Sequence, residues 1–314
     1  MKRIVILGGG TAGTIMANKL REALERNEWE ITLVDKDKTH YYQPGFLFIP
    51  FEIYKKQDVI KPKMDFIPAG IDMIFSEIDR IDAENNQVIL LDDKHIKYDI
   101  LIIATGTDIR PEETPGLKDK LWYNKIFDFY SLDGALALRD FLRGWDGGTM
   151  VVNIVDVPHK CPVAPLEFSF LADEFFTKKG IRNKVNIKYV TPQAGAFTKP
   201  RANKMLSGLL EEKNIEIIPD FYIDRVDNDK SSIIAYDGRE IPFDLLTVVP
   251  LNMGSDAIGR SGLGDDLNYI PTNKYTLQSE KFENIFVIGD AANLPTSKAG
   301  AVAHFSSDIL FENI

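Results

Sequence analysis

An α/β fold of two doubly wound domains is what this chain of 314 residues predicts, on three observations. Short apolar runs that read as buried parallel strands alternate with helical patterns along the chain. The first of these strands enters a glycine-rich turn at residues 8–13 (GGGTAG). A second strand–helix alternation fills the middle. Its strand at residues 243–250 resembles the one at 98–105, with an aspartate one residue in from the start of both.

Taken in order, residues 2–7 (KRIVIL) form an apolar run of the kind buried in a parallel sheet. The glycine turn follows, then a helical pattern over 14–26 and a second strand at 30–34 (EITLV) ending at Asp35. The chain thus opens with a βαβ unit. Residues 98–105 (YDILIIAT) read as another buried strand, closing on Gly106. In the middle, 149–155 (TMVVNIV) reads as strand, 165–179 as amphipathic helix, 185–191 (VNIKYVT) as strand, 202–213 as helix and 215–218 as strand. Residues 243–250 (FDLLTVVP) and 284–288 (NIFVI) are the last strands, the second closing on Gly289-Asp290-Ala291-Ala292. An amphipathic helix starts near Ala299 and is still running at Ile314, which leads us to expect a further C-terminal segment. No low-complexity linker marks a boundary. Topology places one discontinuous domain at 1–112 and 271–314 and the other at 113–270.

Composition narrows the function classes. A hydrophobic fraction of 44% can bury a sizeable core, and a net charge of −10 argues against a general nucleic-acid binder. No run approaches the roughly 18 apolar residues of a membrane span, so a soluble chain is expected. The N-terminus runs from strand into glycine turn without a cleavage region, which speaks against a signal peptide. One cysteine excludes an internal disulfide framework and fits a reducing compartment.

Residues 8–13 match G-x-G-x-x-G at Gly8, Gly10 and Gly13, with Thr11 and Ala12 between. Gly8 permits the tight turn, Gly10 lets backbone approach a pyrophosphate, and Gly13 lets helix pack on strand. The helix N-terminus then offers free N–H groups and a favourable dipole to the phosphates. Asp35, 22 residues beyond Gly13 and followed by Lys36, stands where a carboxylate accepts the hydrogen bonds of an adenosine ribose. A dinucleotide is expected here.

Two further glycine-terminated strand ends, Ala104-Thr105-Gly106 and Gly289-Asp290, lie far from the first motif. Together the three resemble the pattern of two-dinucleotide-fold flavoproteins related to glutathione reductase. That resemblance implies FAD, with Asp290 on its ribityl chain and the cofactor domain split over both ends of the chain. Relatives that draw on NADH or NADPH carry a second glycine fingerprint after the strand that opens the middle domain. Here residues 156–165 (DVPHKCPVAP) follow that strand, with three prolines and no glycine, so a nicotinamide cofactor is not expected.

Lys160-Cys161-Pro162-Val163-Ala164-Pro165 and then Glu167 are similar to the K-C-P-x-A-P-x-E stretch of sulfide:quinone oxidoreductases and of the flavoprotein subunit of flavocytochrome c sulfide dehydrogenases. Residues 39–50 (THYYQPGFLFIP), 248–256 (VVPLNMGSD) and 274–305 resemble the same family, so the likeness spans the chain. Three departures stand out. The family usually has glycine at the place of Val163, and many members carry another cysteine within 124–130. Its C-terminal part supplies a partner cysteine and membrane-contacting helices.

The resemblance implies that Cys161 carries sulfur as a persulfide, that Glu167 accepts a proton, and that Lys298 sits beside the flavin. Pro44 would help to shape the pocket. Cys161 falls just before a helix whose first residue is expected at Pro165. Lys160 and His159 stand alongside, a setting that favours thiolate, although His159, like His304, is treated as structural. Sulfide would be the donor and a quinone the acceptor, with peripheral contact at the cytoplasmic side of the cell membrane and a homo-oligomeric state left open. The alternatives are a type II NADH:quinone oxidoreductase-like flavoenzyme and an FAD-bound non-catalytic or redox-sensing subunit. No metal site is expected.

Overall fold

A computed structural model describes residues 1–314. Its main elements are, in chain order, β1 (Lys2–Leu7), α1 (Thr11–Ala23), β2 (Trp29–Asp35), β3 (Asp72–Phe75), β4 (Ile100–Ile103), β5 (Ile126–Phe127), α2 (Leu132–Gly144), β6 (Gly148–Ile154), α3 (Ala164–Lys178), β7 (Val185–Val190), α4 (Pro200–Glu212), β8 (Ile215–Ile218), β9 (Leu245–Val249), β10 (Ile285–Val287) and α5 (Gly300–Asn313). The chain divides into two compact units. The first comprises Met1–Tyr41, Ile60–Asp108 and Met253–Ile314, and the second Tyr42–Val59 and Ile109–Asn252.

In the first unit five strands lie in the order β10-β4-β1-β2-β3, all parallel. Alternation along β1 sends Ile4 and Ile6 into one buried cluster and Val5 and Leu7 into another, so both faces of the sheet are covered. The second unit repeats this plan, with the order β5-β9-β6-β7-β8, again all parallel. Met150, Val152 and Ile154 of β6 face one cluster and Val151 the other. Each unit also holds a three-stranded antiparallel meander, at residues 78–97 and 223–242. Each meander leads into a central strand preceded by the aspartate noted in the sequence. Asp99 accepts the backbone N–H of Arg3 at 2.7 Å, and Asp244 that of Thr149 at 2.8 Å. The repeated aspartate is thus a clamp that sets the start of the neighbouring strand.

The two sheets and their helices follow the expected α/β class. The boundaries differ from those expected near 112 and 270. Residues 253–270 belong to the first unit, where Ile258, Leu263 and Ile270 enter its buried cluster. Tyr42–Val59 belongs to the second, because Leu47 and Phe51 pack with Phe168 and Phe129. Helix starts differ by a few residues. α1 opens at Thr11, since the Gly10 carbonyl already accepts Thr14 N–H at 3.0 Å, and α3 opens at Ala164, one residue before Pro165. α2, not expected from the sequence, is capped by Ser131, whose hydroxyl accepts the Gly134 N–H at 3.0 Å. No helix is long and apolar enough to cross a membrane.

Candidate functional site

The first unit brings its three sequence motifs into one row. The strands are parallel and their register pairs Leu7 with both Val34 and Ile103, and Ile103 with Val287. The residues that follow, at Gly8, Asp35, Ala104-Thr105-Gly106 and Gly289-Asp290, therefore share the carboxyl edge of the sheet. This is the edge at which doubly wound sheets bind ligands.

The glycines divide into two kinds. Gly8 has φ of +96°, and a Cβ there would lie 2.5 Å from the Ala104 carbonyl oxygen. A Cβ on Gly13 would lie 1.8 Å from the Gly8 carbonyl oxygen, so α1 can rest on the turn only with hydrogen at that position. Gly10 and Gly106 are different, with no atom within 4 Å of the added carbon. Packing does not require glycine at these two places; Gly106 has φ of +67°, which favours glycine by itself, whereas at Gly10 open space is what remains for a ligand. Gly10 and Thr11 are exposed at the start of α1, Ala12 is buried behind them, and Ala12 Cβ is 3.2 Å from a Cβ built on Gly289. Thr105 Oγ1 is buried without a hydrogen-bond partner, as expected of a polar atom in a ligand cradle. The row fits a dinucleotide.

Asp35 is held at its far end. Its Oδ2 accepts the Gly9 N–H at 2.5 Å and meets the Lys63 ammonium at 2.6 Å, and its Oδ1 accepts the Asp37 N–H at 2.7 Å. Lys63, which sequence reasoning missed, is buried, whereas the expected Lys36 is exposed. His40, also missed, packs on Phe66 at 4.5 Å; burial and then the Lys63 charge lower its pKa. At the other end of the row, buried Lys298 donates to the carbonyls of Asp290 (2.8 Å) and Ala292 (3.2 Å). Its ammonium also lies 3.8 Å from the centre of the Tyr269 ring. Burial lowers the Lys298 pKa, opposed by the charges of Asp290 and Asp265. This lysine pins the Gly289-Asp290 turn.

In the second unit the segment after β6 contains Cys161, with φ of +48°. Left-handed backbone is uncommon for a non-glycine residue, and doubly so before proline. Several bonds hold it. The Cys161 carbonyl accepts from Ala164 N–H at 3.0 Å and from the Tyr130 hydroxyl at 3.4 Å. Lys160 N–H donates to Asn252 Oδ1 at 3.0 Å, and Lys160 Nζ to Gln43 Oε1 at 3.4 Å. His159 Nδ1 lies 3.1 Å from the Lys160 carbonyl, which requires a proton on that nitrogen, and 3.3 Å from the Tyr130 oxygen. Burial lowers the His159 pKa, which disfavours a charged ring beside the thiol. Glu167 stands in the first turn of α3, largely exposed, and local desolvation raises its carboxyl pKa. It lines an open groove of about 720 Å³ with Leu47, Phe48, Phe170 and Leu171. Pro44 is exposed, in the 3₁₀ helix at Gln43–Phe48 of this unit. Sequence reasoning missed Tyr130, which has no motif to mark it.

The family model of pyridine nucleotide-disulphide oxidoreductases matches residues 2–138. Two curated relatives cover almost the whole chain. The mitochondrial sulfide:quinone oxidoreductase of Dictyostelium discoideum is 29% identical over 99% of this chain and 70% of its own length. That of Mus musculus is 27% identical over 98% of this chain and 69% of its own. This chain is a homologue of the sulfide:quinone oxidoreductases. The solved sulfide:quinone oxidoreductase from the hyperthermophilic bacterium Aquifex aeolicus superposes over 100% of this chain and 78% of its own. Its TM-score is 0.83 at 22% identity, and it shares the fold.

Proposed function

We propose that this sulfide:quinone oxidoreductase homologue is an FAD-dependent enzyme that oxidises sulfide to sulfane sulfur or polysulfide and passes the electrons to a quinone. One observation carries the reading. Where β6 of the second unit ends, the position of a nicotinamide fingerprint is taken by a proline-rich segment that holds a cysteine in left-handed backbone. A chain with sulfide:quinone oxidoreductase relatives and a thiol at this place is read as taking electrons from sulfur.

When bound, FAD would supply the two-electron chemistry between the sulfur and the quinone. Gly8, Gly10, Thr11, Ala12 and Gly13 would cradle its pyrophosphate at the head of α1, and Asp35 would accept its adenosine ribose, with Lys36 beside it. Ala104, Thr105, Gly106, Gly289 and Asp290 would line the rest of the row. In this reading Cys161 holds the sulfane sulfur, Glu167 takes up a proton at its carboxylate, and Pro44 bounds the pocket. Lys298 fixes the turn that carries Asp290. Contact with the membrane that holds the quinone would be peripheral, at the cytoplasmic face.

The test is quinone reduction by FAD-loaded protein with a short-chain quinone and either sulfide or NADH. Sulfide-dependent reduction that is lost in C161A supports the proposal. Reduction by NADH and not by sulfide overturns it.

A further inference from the structure

Between Thr39–Tyr41 and Ile60–Pro62 the first unit forms a short antiparallel pair, and Lys63 follows directly. Its own N–H donates to the Lys38 carbonyl at 2.8 Å, which delivers the side chain under the glycine turn. The lysine is 3% exposed, and its ammonium is 2.6 Å from Asp35 Oδ2, the oxygen that also accepts Gly9 N–H. Gly9 is a position at which the fingerprint allows any residue. Here a Cβ on Gly9 would come 3.0 Å from Lys63 Cδ, 3.0 Å from Leu33 Cδ2 and 3.2 Å from Asp35 Oδ2. The lysine stem, with Leu33, occupies the space that a side chain would need.

From this juxtaposition we propose that Lys63 is a positioning residue of the cofactor site. It locks the Asp35 carboxylate so that the remaining acceptor capacity faces the adenosine ribose, and Gly9 is glycine to admit its stem. The inference rests on the reading of this row as an FAD site. A carboxylate already fixed by a charge partner and two backbone N–H groups accepts a ribose hydroxyl on its remaining Oδ1 lone pair without reorganising, whereas a released one must first be recaptured from alternative positions. Lys63 acts through Asp35, so its effect belongs to the adenosine half of the cofactor. FMN, which lacks that half, is the control.

The experiment measures FAD and FMN affinity of the flavin-stripped protein by flavin fluorescence, for the parent and for Lys63→Met. The expected result is FAD binding weakened at least tenfold, with FMN affinity within twofold of the parent. Parent-like FAD affinity, or equal loss for both flavins, overturns the proposal. Should Lys63→Met not fold, Gly9→Ala decides, since it keeps both charges and crowds the Lys63–Asp35 pair from the turn, with Leu33 the other side chain it meets. FAD weakened threefold or more with FMN unchanged supports the proposal, and any other pattern overturns it. A parent protein that binds no FAD would defeat the reading of the site itself, an outcome distinct from all of these.

Discussion

Exchanging Gly13 and Gly10 for alanine separates what the glycine turn does for the fold from what it does for a ligand. At Gly13 the new methyl would sit 1.8 Å from the Gly8 carbonyl oxygen, half the distance of an ordinary contact, and the clashing atom is backbone. Relief requires α1 to move off the sheet, disturbing Ala12, Met16 and Ala17, which are buried against it. Overpacking of this kind costs about 1–3 kcal/mol, and a backbone clash so close belongs at the top of that range. At Gly10 the methyl meets nothing within 4 Å, and the residue caps α1 in extended backbone that alanine also adopts. The loss of stability there should stay under about 1 kcal/mol, the scale of an unfavourable N-cap. Flavin affinity reverses the order of interest, because the Gly10 methyl stands where a pyrophosphate must approach. Chemical denaturation of the flavin-stripped proteins and FAD titration of each measure both quantities. Gly10→Ala should unfold at nearly the parent's midpoint yet bind FAD at least tenfold more weakly, and Gly13→Ala should lose stability first. A Gly10→Ala protein as unstable as Gly13→Ala, or one that binds FAD like the parent, would refute the reasoning.

Other perturbations follow from the same geometry. Tyr130→Phe removes the hydroxyl that holds the Cys161 carbonyl, at a stability cost of about 1 kcal/mol. It should slow alkylation or sulfide turnover severalfold and shift their pH profile; an unchanged profile would remove Tyr130 from the account. Lys298→Met deprives two carbonyls of their donor beside Asp290 and should destabilise the first unit by about 2–3 kcal/mol while accelerating FAD release, read by denaturation and fluorescence. His159 has its folded pKa lowered by burial, so the unfolded chain takes up the proton first. Its contribution is complete above the ordinary histidine value and is lost as pH falls from there toward the folded value. His159→Asn should flatten that part of the stability curve, and an unaltered slope would assign it to other groups.

The central strands were legible because burial on both faces writes an apolar run into the sequence, as in Lys2–Leu7 and Leu245–Val249. The dinucleotide row was legible for a related reason. Gly8, Gly13 and Asp35 are close in sequence, and parallel register then aligns them with Gly106 and Gly289. The meanders at 78–97 and 223–242 were not, since strands of three to five residues leave too short a period to read. The partners Lys63, Tyr269 and Tyr130 were hidden for another reason. Each meets its site through a contact 28 or more residues away, and nothing local marks a lysine that will be buried on an aspartate. The segment Tyr42–Val59 looked like a continuation of the first domain because chain order gives no sign of where Leu47 and Phe51 will pack.

The claim that sulfur at Cys161 supplies the electrons is tested most directly by an anaerobic half-reaction. FAD-loaded protein and its Cys161→Ala variant are mixed separately with sulfide and with NADH, without quinone, and the flavin absorbance is followed. The account predicts rapid bleaching of the parent by sulfide, none of the variant by sulfide, and none of either by NADH. Bleaching of the parent by NADH, or of the variant by sulfide at the parent's rate, would contradict it.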